Sequence, residues 1–130
     1  MANVIDEVLE AVKVLCNNTS PYATLTKGPL PPENGISIAV GAGSPDSTFL
    51  TKSMAYSLSM VINGKHSVES TVSNALNVIH DALVKATSYP SSTDYQITNI
   101  ITTGAPNRIE REDGGQFLYG SSITVKFYYR

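Results

Sequence analysis

A chain of 130 residues has the size of one domain and can bury about two-thirds of the surface its unfolded form exposes. With 42% apolar and only 15% charged residues the composition is globular rather than disordered, and a net charge of −2 gives no electrostatic attraction for nucleic acid. Cys16 is the single cysteine, which excludes an intrachain disulfide and a cysteine-based zinc site.

Asn3 to Cys16 reads as a helix. Val4, Ile5, Val8, Leu9, Val12 and Leu15 form its apolar stripe, and Asp6, Glu7, Glu10 and Lys13 face water. Asn3 can cap its start and Asn17-Asn18 can end it. This acidic, amphipathic start is not built like a secretory leader, so the two glycosylation sequons within Asn17 to Ser20 are read as chance. No run approaches the roughly 20 apolar residues of a membrane helix. A reducing cytoplasm, or a particle assembled in one, is the expected setting.

Thr19 to Gly35 holds Pro21, Pro29, Pro31 and Pro32, which exclude a helix or a central strand. It is expected as a long ordered arm or a loop over the surface. Ile36 to Val40 is a short strand, and Gly41 to Ser47 is a turn-forming run. From Met54 to Ile62 the side chains alternate: Met54, Tyr56, Leu58, Met60 and Ile62 on one face, Ser53, Ala55, Ser57, Ser59 and Val61 on the other. Asn63-Gly64 is expected to break this strand. Val68, Val72, Ala75, Leu76, Ile79, Ala82 and Leu83 then take helical spacing, with Ser67 as N-cap and Glu69 at the positive end of the helix dipole. Lys52 to Lys85 is therefore a strand running into a helix that folds back over the strand's apolar face.

Ser88 to Asp94 is a second loop, and Tyr95 to Thr103 a third strand with Tyr95, Ile97, Asn99 and Ile101 on one face. Gly104 to Gly115 is a polar connection, expected to project as a hairpin tip. Gln116 to Arg130 is the last strand, with Phe117, Tyr119, Ser121, Ile123, Val125, Phe127 and Tyr129 on its main face. The order α-β-β-α-β-β predicts a single α+β domain over residues 1–130. Its core is a four-stranded, mainly antiparallel sheet of two β-hairpins with two helices packed on one face. The second face, rich in Ser, Thr and Tyr, is either a subunit contact or a plain solvated surface.

Motifs for chemistry are sparse. Gly41-x-Gly43 does not reach a third glycine, since Asp46 stands there, so no dinucleotide fingerprint exists. Gly64-Lys65 lacks the rest of a phosphate loop. His66 and His80 are separated by about 20 Å of helical rise, beyond shared metal coordination, and His80 beside Asp81 is expected on a solvated helix surface. No nucleophile elbow, catalytic residue, metal site or cofactor site is predicted. The aromatic residues Phe117, Tyr119, Phe127, Tyr128 and Tyr129 could stack bases, but the scarcity of Lys and Arg around them favours core and interface packing. Arg108, Glu110, Arg111, Glu112 and Asp113 concentrate charge in a chain otherwise poor in it. They read as a solvated hairpin tip or, if functional, as a protein-contact site, solvated in the free protein and paired after assembly.

The layout of nearly all 130 residues resembles the small tail terminator proteins of long-tailed bacteriophages, also called minor capsid or tail completion proteins. The residues that carry the resemblance are the Pro-rich arm Pro29 to Ile38 after the first helix, the strand-helix unit Ser53 to Leu83, and the polar segment Arg108 to Tyr119 before the aromatic terminal strand. Ser57 and Ser59 stand where related chains often place a basic residue near the strand-helix junction. The resemblance implies a non-enzymatic virion protein of the tail or neck, assembled in the bacterial cytoplasm. It would form a ring homo-oligomer, usually a hexamer, that caps the tail tube, stops its elongation and offers a joining surface to the head. Its partners would then be further copies of itself, the tail tube protein and head-tail connector proteins. No membrane is implied and no sequence-specific binding of nucleic acid, although DNA would pass through the ring. A head-side connector or stopper is the neighbouring alternative. A small-ligand domain using the Gly41 to Asp46 turn is the alternative from another class.

Overall fold

The computed structural model describes residues 2–31, 33–48, 54–112 and 114–129. In chain order the elements are α1 (Ala2–Asn17), β1 (Thr26–Lys27), β2 (Ile36–Thr48), β3 (Met54–His66), α2 (Glu69–Lys85), β4 (Tyr95–Arg111) and β5 (Phe117–Tyr129). The strands form one sheet in the order β1-β2-β3-β5-β4, in which β1 runs parallel to β2 and every other neighbour is antiparallel. The fold is α+β as predicted, but the sheet has five strands and is mixed rather than four-stranded. The additional strand lies in the Pro-rich arm, where Thr26 pairs with Ser37 and Lys27 with Ile38, and the Gly28 N–H adds a bond to the Ile38 carbonyl at 3.0 Å. Two paired residues leave no periodicity for a sequence to display.

The centre of the sheet is the ladder of β3 on β5, unbroken in register from Met54↔Tyr129 to His66↔Phe117. Leu58, Met60 and Ile62 of β3 and Ile123, Val125 and Phe127 of β5 are buried against the helices. They meet Val72, Leu76, Ile79 and Leu83 of α2, and Val4, Val8, Leu9, Val12 and Cys16 of α1, in one continuous core. Each such side chain contributes about 1.5–3 kcal/mol by leaving water. The alternation on β3 and β5 and the stripes on the two helices thus fall where the sequence places them. Val68 and Ala82 are exceptions: Val68 is 49% exposed and sits just before α2, and Ala82 is exposed on it.

Asn63-Gly64 does not end β3, which runs on to His66. Gly64 lies mid-sheet, paired to Ile36 and to Tyr119. Its lack of a side chain lets α2 and the arm come close, since a Cβ there would stand 2.9 Å from Val72 Cγ2 and 3.2 Å from the Tyr22 hydroxyl. Ser67 is not the N-cap either. Val68 occupies that position without a side-chain cap. The local donors are satisfied differently: the Val68 N–H donates to His66 Nδ1 at 2.9 Å and the Ser67 N–H to Asn34 Oδ1 at 3.3 Å.

Two expected turns are strand. Gly41 to Ser47 forms the outer half of β2 and pairs with β3 through two register shifts, at Val40/Gly43 and Pro45/Ser47. Gly104 to Arg111 continues β4, leaving a tight turn in which the Gly115 N–H bonds the Glu112 carbonyl at 2.9 Å and Gly115 takes a φ of 89°. The edge strand β4 has 17 residues against the 13 of β5, and four register shifts absorb the difference. The first lies between Ile97 and Asn99 and reverses the facing of the residues from Asn99 to Thr102. Ile97 and Ile100 are therefore the buried residues, and Asn99 and Ile101 lie on the opposite face to Ile97. Repeated bulges and Pro106 also make this edge a poor template for another strand.

Candidate functional site

The segment up to Arg111 closes a strand instead of forming a projecting loop, and the side chains of Arg108, Glu110 and Arg111 are exposed on it. Arg108, Glu110 and Arg111 lie on β4, Glu112 opens the turn, and Asp113 falls outside the described residues. The sheet register sets this segment beside the junction of β3 and α2. Lys65 Nζ meets Glu112 Oε2 at 2.9 Å, with the two side chains only 12% and 32% exposed. Arg108 Nη1 meets Glu69 Oε2 at 3.4 Å in a more open setting. The Tyr119 hydroxyl donates to the other oxygen of Glu69 at 2.7 Å, and this bond to a carboxylate raises the Tyr119 pKa. Arg111 stacks over Phe117, 5.4 Å from the ring centre. Glu110 remains exposed on the strand.

The arm completes the cluster. The Tyr22 hydroxyl reaches the carbonyls of Gly35 at 2.9 Å and of Lys65 at 2.8 Å, and burial pushes its pKa up to about 12. The Tyr22 ring meets His66 edge-on with centroids 4.8 Å apart. The Asn34 N–H donates to Gln116 Oε1 at 3.0 Å. Arm, β3, α2 and the β4–β5 hairpin are thus tied at one end of the sheet. Of the five predicted residues, Arg108 and Glu112 take part through pairs within the chain, and Arg111 through an aromatic stack. Lys65, Glu69, Tyr22 and Asn34 were missed, because no local pattern marks a pairing across tens of residues.

This cluster ties separate segments of the fold together through ion pairs and hydrogen bonds. Its carboxylates lie against cations or a phenol donor: Glu112 against Lys65, and Glu69 against Arg108 and the Tyr119 hydroxyl. The exposed Arg108–Glu69 pair contributes little to stability, while Lys65–Glu112 is better shielded. Among the described residues no group of three His, Cys, Asp or Glu side chains is placed to hold a metal ion, and no helix is long and apolar enough to cross a membrane. Because Gly41 to Ser47 is strand, the turn invoked for a small ligand is not formed.

A second departure from expectation lies on α2. His80 is buried, at 5% exposure, instead of lying on a solvated surface. Its Nδ1 is 2.9 Å from Thr102 Oγ1, its Nε2 is buried with no hydrogen-bond partner among the described residues, and burial lowers its pKa. It lines a crevice of about 640 Å³ between α2 and β4 together with Asn77, Asp81 and Thr102. Helical position alone could not place it, because β4 reaches over that side of α2.

No family model matches the sequence, and no curated protein matches it. The fold is similar to that of a solved chain described as "Virion of native gene transfer agent (GTA) particle", with a TM-score of 0.56 over 95% of this chain and 91% of that one at 16% identity. At that identity the likeness establishes a shared fold: two helices on a mixed five-stranded sheet.

Proposed function

We propose that this chain is a structural virion protein of a phage or phage-like particle, of the tail terminator type. In this reading copies form a ring, six-membered by resemblance, that caps the tail tube, halts its elongation and presents a surface to the head connector. The observation that carries the reading is the end-to-end likeness to a chain of a gene transfer agent virion. The sequence resemblance to tail terminators and a polar cluster built for rigidity support it. The role is mechanical rather than catalytic, and the partners are further copies of the chain, the tube protein and neck proteins.

Electron microscopy of particles made without this protein is the test. Overlong or unjoined tails are expected, and normal-length tails joined to heads would overturn the reading. The head-side alternative, a connector or stopper, draws on the same likeness. It would give tails of regular length beside heads that fail to retain DNA.

A further inference from the structure

Among the described residues the outer sheet face and the α2 ridge of the helix layer carry little charge, whereas α1 turns Asp6, Glu7, Glu10 and Lys13 outward. On the outer sheet face Ser59 stands opposite Thr124 and Val61 opposite Ser122, with Ile101 beside Thr124 on β4. Ser59, Val61, Ser122 and Thr124 are half-buried there. Among the described residues the charged side chain near the middle of this face is Lys126, exposed and opposite Ser57 and Asn99. A strand of 13 residues spans about 43 Å, and four strands make a width of about 19 Å. The face therefore offers on the order of 800 Å², the share of one partner in a stable standard-size interface.

The helix layer presents a ridge on α2. Asn74, Val78 and Ala82 are exposed along it, Val78 by 52%. A groove flanks each side, one against Ser20 to Tyr22 and the other against Thr102 to Pro106. An exposed helix face of a lone protein is normally dense in Glu and Lys. Here the acidic group beside the ridge is Asp81, 72% exposed and only loosely paired with Lys85 at 3.5 Å.

We propose that the outer sheet face of one copy seats on the α2 ridge of a second copy, with Lys126 beside Asp81 of its neighbour. The pairing rests on the ring reading above and names the surfaces that close it. The two faces differ, so the contact is head-to-tail and repeats around a ring rather than stopping at two. A face-to-face dimer would instead enclose two Lys126 ammonium groups and leave both ridges bare.

Sedimentation of the full chain at rising concentration tests this with Thr124→Arg on the sheet face and Val78→Arg on the ridge. The wild type should associate beyond a dimer. Each variant should remain monomeric with an unchanged melting temperature, and an equimolar mixture should form a dimer that grows no further, because one good surface survives on each partner. Should a variant fold poorly, Asp81→Lys and Lys126→Asp replace it: each should weaken association severalfold, and the double exchange should restore it. Wild-type association in the variants, a mixture that stays monomeric, or a wild type that is monomeric at every concentration would each overturn the pairing. Rings that form while particles lacking the protein stay normal would instead remove the terminator role and leave the pairing intact.

Discussion

Lowering the pH below neutrality should destabilise this protein through His80. The imidazole is enclosed, its Nδ1 is engaged at 2.9 Å by Thr102, and its Nε2 has no partner among the described residues. Whichever nitrogen carries the proton in the neutral ring, the imidazolium would hold a charge and an Nε2–H with no acceptor among the described residues, in a place where an unsatisfied buried group costs about 1–3 kcal/mol and a charged one more. Burial accordingly holds the pKa below its ordinary value of 6.5. The unfolded chain then binds this proton more readily than the folded one, so stability rises with pH across the window between the two pKa values. The contribution is whole above about pH 6.5 and is lost as the pH falls towards the lowered folded pKa, with a slope of at most about 1.4 kcal/mol per pH unit. Urea denaturation between about pH 7.5 and about pH 5.5, with the slope m held common, measures it. His80→Leu should flatten this dependence, and at the upper end of the range it should cost little, since it removes an orphaned polar atom and Thr102 is exposed to water. His66 is present in both proteins and cancels in the comparison. An equal loss of stability with pH in the wild type and in His80→Leu would refute the reasoning.

Three further outcomes are expected. Gly64→Ala forces its new methyl to within 2.9 Å of Val72 Cγ2 and should cost about 1–3 kcal/mol by overpacking, read as a lower urea midpoint; an unchanged midpoint would mean that α2 does not bear on β3 there. Tyr22→Phe removes the hydroxyl that ties Gly35 to Lys65 and should cost about 1–2 kcal/mol, with faster amide exchange along the arm; unaltered exchange would show that the arm is held by other contacts. Cys16 is fully buried and its thiol is pushed up to about 12 by burial, so a thiol reagent at neutral pH should label it only as fast as the protein unfolds; prompt labelling of the folded chain would contradict that burial.

What the sequence by itself determined are the elements whose signal is local. Val4, Val8 and Val12, and Val72, Leu76, Ile79 and Leu83, recur at the spacing that puts them on one side of a helix. Leu58, Met60 and Ile62, and Ile123, Val125 and Phe127, alternate as a strand with one dry face requires. All of these residues are buried in the core. Tertiary structure decided where backbone pairing overrides residue preference. β2 passes through Gly43 and Pro45, and β4 through Gly104, because neighbouring strands supply ladder partners that poor strand formers do not signal, while Gly41 and Pro106 fall within register shifts. A bulge after Ile97 exchanged the faces of β4, and a one-residue slip of that kind leaves no trace in composition. The candidate site divides in the same way. Arg108 and Glu112 stand out in the sequence as charge in a chain that has little. Their partners Glu69 and Lys65 lie 39 and 47 residues away, and the register of a folded sheet is what brings them within reach.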